Sequence, residues 1–150
     1  YVAPAAFGMA RVRAARGDTA GAVAALDMVP KTSRGYPESR QLRAEVLLAG
    51  DGTDLAVLDQ ALRSIESVTL DPTSRQRYTV RILTEALQVV TSGRGSAADG
   101  AKVGPHDATE AGLRAGLETA YRALAREASQ LQERITLVNQ ANAVRSWTLT

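Results

Sequence analysis

Four stretches carry residue types that could do chemistry. Arg16-Gly17-Asp18 spells the tripeptide that integrins recognise, which points either to adhesion or to a tight turn between two alanine-rich helices. "GSAADGAK", Gly95 to Lys102, spaces two glycines as a phosphate-binding loop does. Ala101 stands where that loop needs lysine directly, Val103 replaces the hydroxyl residue, and no strand precedes it, so a flexible loop is the better reading. His106 is the only histidine, with only Asp107 beside it, too little for a metal site or a triad. It reads as an exposed residue capping the next helix. "SRQRYTVR" clusters Arg75, Arg77 and Arg81 around Tyr78, which suits recognition rather than turnover. Without cysteine there is no disulfide framework, thiolate metal site or cysteine nucleophile. The sequence thus nominates no catalytic, cofactor-binding or metal-ligating residue.

A chain of 150 residues fits one domain with a real core. Hydrophobic residues are 45% of it but aromatics only 4%, so the core must be aliphatic and alanine-rich, which favours close-packed helices over a sandwich. A formal charge of +2 does not by itself imply nucleic acid or an anionic membrane. No apolar run approaches the ~20 residues of a membrane span, and no signal peptide is visible, so a cytoplasmic location is expected. Because the chain opens on Tyr1 and is helix-like at once, it reads as a single domain, 1–150, cut from the C-terminal part of a larger protein.

The elements emerge from an internal repeat. Ala10 and Ala44 lie 34 residues apart, each ahead of a Gly-Asp turn, and Ala22, Leu26 and Val29 recur as Leu58, Leu62 and Ile65 at an offset of 36. Each unit reads as helix, turn, helix. The first runs from Pro4 to Arg16 and, after Gly17 with Asp18 or Thr19 as cap, to Val29, where Pro30 ends it. The second spans Pro37 to Ala49, a turn with Gly50 and Gly52, then a helix capped by Thr53 or Asp54 and reaching about Ser67. This pairing favours the turn reading of Arg16-Gly17-Asp18.

A third unit starts at Asp71-Pro72, with Val80, Leu83, Leu87 and Val90 on one helical face. The segment 91–107, rich in glycine and small polar residues, reads as a long flexible loop. Leu113, Leu117, Tyr121 and Leu124 form the next stripe, and Leu131, Ile135 and Val138 are expected to face inward on a last helix. The sum is an all-α chain of about seven helices with no convincing strand. Its period and paired helices match the tetratricopeptide arrangement, a right-handed α-solenoid of antiparallel helix pairs.

"AAFGMARVRAARGDTAGAVAALDMVP", "GLETAYRALAREA" and "ERITLVNQANAVR" together resemble the C-terminal region of the actinobacterial protein kinase G family. The ending "SWTLT" departs from that pattern. The resemblance implies a tetratricopeptide domain following a serine/threonine kinase domain. The sequence has no H-R-D loop, D-F-G or V-A-I-K strand, so any catalytic domain is expected upstream of Tyr1. Some members of that family carry a rubredoxin-like metal module ahead of the kinase, but this sequence has no cysteine pair for one, and no cofactor is expected.

In a solenoid the first helix of each unit usually lines the concave face. Steps of 34 residues then give Phe7, Gln41 and Arg75, and Arg11, Glu45 and Thr79, as a candidate partner groove. The expected role is a protein-interaction module that recruits a partner or docks on its own kinase domain. The alternative is self-association, a homodimer through the last helix and Trp147.

Overall fold

Asparate and glycine punctuation sets the helix ends in the computed structural model, which describes residues 3–50, 54–93 and 100–145. The helices are α1 (Ala3–Ala15), α2 (Thr19–Asp27), α3 (Tyr36–Ala49), α4 (Leu55–Glu66), α5 (Pro72–Thr91), α6 (Glu110–Glu127) and α7 (Leu131–Val144), with β1 (Lys102–Val103) and β2 (His106–Asp107) between α5 and α6. Side chains of Asp18, Asp54, Asp71 and Thr109 each accept a backbone N–H three residues on, satisfying donors that a helix start leaves open. Gly17 carries φ +78°, the left-handed turn that ends α1. Arg16-Gly17-Asp18 is therefore a helix–helix turn. Asp51, Gly52 and Thr53, expected in the equivalent second turn, lie outside the described residues, as do Gly95 of the near-miss phosphate loop and Trp147.

The helices pack as antiparallel neighbours in chain order: α1 with α2, α3 with α4, α5 with α6, and α7 on α6. The repeat positions are buried as the periodicity requires. Ala10 and Ala44 are fully enclosed, as are Leu26, Leu58, Leu62 and Ile65. One cluster joins α1, α2 and Val46 of α3, and a larger one joins α3 to α6 and the hairpin, with Val23 touching both. Asp27, at the end of α2, ties the first unit to the second: Arg40 and Arg43 of α3 both reach its Oδ1 at 3.0 Å. Arg43 continues to the Ser64 hydroxyl on α4 at 2.8 Å.

The packing departs from the sequence reading in three places. The expected loop 91–107 is not one loose segment, because residues 102–107 form a two-residue antiparallel hairpin. Val103 is completely buried, and the Gly104 N–H donates to the Asp59 carboxylate of α4 at 2.8 Å. On α5 the buried stripe is Thr79, Ile82, Leu83 and Ala86, while Val80, Leu87 and Val90 are half-buried flanks. On α7 the expected inward stripe faces solvent: Leu131 is 70% and Ile135 44% exposed, and Val138 is half-buried. Ala141 makes the close contact instead. A terminal helix has a neighbour on one side only, so a small residue at the α6 contact suffices.

Candidate protein-interaction surface

The surface builds up from two neighbouring helices. Gln41 and Glu45 stand one turn apart on α3, facing Tyr78 and Arg81 of α5. The Tyr78 hydroxyl accepts from the Gln41 amide at 3.1 Å and donates to Glu45 Oε1 at 2.8 Å. Arg81 pairs with the second Glu45 oxygen at 3.2 Å. Partial burial is the main reason the Tyr78 phenol titrates above its ordinary range, with the hydrogen bond to Glu45 and its negative charge adding to the effect. Gln41 and Arg81 act against it.

The other proposed groove residues are placed differently. Phe7 is buried against Ala3 and Gly35, so it belongs to the core and lines no groove. Arg11 is exposed and lies over its ring, 6.0 Å from the centroid. Thr79 sits around the barrel of α5 from Arg81, and Arg75, one turn before Tyr78, borders a different space. The cause is arithmetic. Gln41 meets Tyr78 at a separation of 37, and Glu45 meets Arg81 at 36. A step of 34 therefore stops two residues short of Arg81, which turns Thr79 about 200° from it, and three short of Tyr78, which leaves Arg75 one turn away, about 60° round the helix. The signal was available in the sequence, because the second turn already lengthens the offset between units to 36.

Arg75 and Thr79 instead line a cleft of about 440 Å³ between α5, α6 and the hairpin. Gln76, His106 and Thr119 share its walls, Glu66 and Leu70 its α4 end. His106 is not an exposed helix cap. Thr109 is the cap, and His106 is half-buried with its imidazole against Gly116. A Cβ at Gly116 would stand 2.7 Å from His106 Nδ1 and 2.8 Å from Leu83 Cδ1, so a larger residue there would have to push these side chains aside. The three arginines of "SRQRYTVR" are thus divided. Arg81 holds Glu45, Arg77 reaches Glu133 of α7 at 3.6 Å, and Arg75 has no carboxylate partner among the described residues.

A second groove, about 410 Å³, lies between α6 and α7 and is lined by Arg122, Ala125, Arg126, Arg134 and Val138. Among the described residues no group of His, Asp and Glu is arranged to hold a metal ion, and no helix is long and apolar enough to cross a membrane. What the surface offers is preset hydrogen-bonding and charged groups on a stack of helices.

The family model for the protein kinase G tetratricopeptide repeat matches residues 1–148. The chain belongs to that family. Among similar proteins, the serine/threonine-protein kinase PknG of Mycobacterium leprae is 39% identical over 147 residues, and that of Mycolicibacterium smegmatis 35% identical over 149. Each alignment covers 96% of this chain but only 19% of the kinase, so the chain spans about a fifth of the length of these relatives. The family model that it matches describes the tetratricopeptide repeat.

Proposed function

We propose that this chain is a non-catalytic docking module of a PknG-like serine/threonine protein kinase, recruiting a protein partner or holding the upstream kinase domain in a regulated position, in the cytoplasm. The observation that carries the reading is the network of Gln41, Tyr78, Glu45 and Arg81, which spans two repeats while Glu45 and Arg81 stay 42% and 45% exposed. Groups fixed by one another lose little freedom when a partner adds further bonds, which favours binding. Titrating the chain by calorimetry into the separately expressed remainder of its parent kinase tests docking. Saturable binding that weakens by about tenfold in Glu45→Ala is expected, the loss of one charge-assisted bond. No heat and no change in kinase activity would remove the intramolecular version.

A second reading, self-association, is favoured by the exposed Leu131 and Ile135 beside the α6–α7 groove. Apolar side chains grouped at the end of a repeat stack are a common site of pairing. Light scattering over a concentration series decides it: a dimer lost in Ile135→Asp supports the reading, and a strict monomer, alone and within the parent protein, ends it.

A further inference from the structure

We propose that the cleft between α5, α6 and the β1–β2 hairpin is a carboxylate site that seats an aspartate or glutamate side chain of a partner peptide on Arg75. The proposal rests on the docking reading for the existence of a partner, but the chemistry of the cleft argues for the ligand by itself.

Arg75 is the starting point. Arg75 is half-buried and has no carboxylate partner among the described residues, whereas Arg77 and Arg81 on the same helix are both paired. The planar fork of a guanidinium matches a carboxylate in two parallel charge-assisted bonds, and that of Arg75 borders the cleft with no anion beside it among the described residues. Gln76 and His106, also half-buried and without side-chain partners among the described residues, supply further donors to the same space. Thr79 and Thr119 do not compete as donors, because their hydroxyls are committed to the Arg75 and Ala115 carbonyls.

The remaining lining selects the kind of anion. Glu66, at the α4 end, makes no ion pair among the described residues and sets a negative charge against any ligand. That disfavours a doubly charged phosphate more than a singly charged carboxylate. Leu70, Pro105 and Ala120 give apolar surface for the one or two methylenes that carry a side-chain carboxylate. A volume of about 440 Å³ suits a side chain and its flanking backbone, and Pro72, Pro105 and Thr119 at the rim are exposed, so an extended peptide can lie across it.

The test uses the full 150-residue chain and two fluorescein-labelled short peptides of identical apolar sequence, one with central aspartate and glutamate, the other with their amide isosteres. Fluorescence anisotropy should show the acidic peptide binding at least ~tenfold more tightly, as expected for a charge-assisted bond over its neutral counterpart. Arg75→Gln should bring the acidic peptide down to the level of the amide peptide. Thr119→Glu, at an exposed helical position where the fold tolerates the change, should weaken it as well, and Glu66→Gln should strengthen it. Thermal melts check that each variant folds. Equal binding of both peptides, no binding of either, or unchanged acidic binding in folded Arg75→Gln and Thr119→Glu would overturn the proposal. So would displacement of the peptide by free glutarate at matched carboxylate concentration, which would make the ligand a free acid. Loss of the peptide effect with docking to the parent kinase intact would sink the cleft alone, and the reverse pattern would sink kinase docking alone.

Discussion

The replacement Val103→Ala separates an anchored hairpin from a loose loop. Val103 is completely enclosed, in one core cluster with Leu58, Leu62, Leu113 and Leu117. Removing two carbon groups from that site costs about 1.6 kcal/mol of transfer free energy, at ~0.8 for each. The cavity adds to it, by up to roughly the same amount where the surrounding helices fail to close in. The expected loss is about 2–3 kcal/mol. For a chain of this size that lowers the melting temperature by about 4–12 °C. Urea unfolding followed by circular dichroism should show the midpoint fall with an unchanged slope, since the same surface is exposed on unfolding. Should the hairpin lift off before the helices unfold, the loss moves to local opening. Hydrogen exchange then reports it at the Ala108 amide, which donates to the Ala101 carbonyl at 2.9 Å, and at the Gly104 amide on Asp59. A loss below about 0.5 kcal/mol, the range of ordinary surface changes, together with unchanged exchange at both amides, would refute the reasoning and restore 102–107 to a free loop.

Three further outcomes follow from named contacts. Asp27→Ala strips the shared partner from Arg40 and Arg43, whose side chains are only 12% and 16% exposed, and should cost about 1–3 kcal/mol in urea unfolding. Gly17→Ala forces a Cβ into the left-handed turn at φ +78° and should cost about 1–2 kcal/mol by the same measurement. Tyr78→Phe tests the α3–α5 network through pH. The folded phenol holds its proton more tightly than the unfolded one, so its contribution to stability is complete below pH ~10 and is lost as pH rises through the raised folded pKa. Melts between pH 9 and 11 should therefore fall more steeply for the native chain than for Tyr78→Phe.

Much of the fold was legible from local chemistry. Asp71 caps its helix as expected, Asp18 and Asp54 are each one of the two caps that the sequence offered, and Ala10, Leu26, Leu58 and Leu62 are buried where the repeat placed them. These features depend on neighbours within one or two turns, so a linear pattern contains them. The candidate site was legible only in part. Gln41, Glu45 and Tyr78 do meet, but the uniform step of 34 attached Gln41 and Glu45 to Arg75 and Thr79, which line the neighbouring cleft. A slip of two residues, as between Thr79 and Arg81, turns a side chain by about 200° while leaving the residue counts unchanged, and composition cannot register that.

The sequence by itself determined an all-α repeat, its turns and the inner face of most helices, because capping and periodicity act over a few residues. It also settled that Gly17 and Asp18 punctuate two helices. Only the tertiary structure decided that Val103 closes the core, that His106 rests on Gly116 and that Arg75 is left without a carboxylate partner while Arg77 and Arg81 are paired. Those outcomes depend on which distant segment fills a gap between helices. The same physics left Leu131 and Ile135 facing solvent, since a periodic stripe states that a helix has an apolar side but not whether a neighbour arrives to cover it.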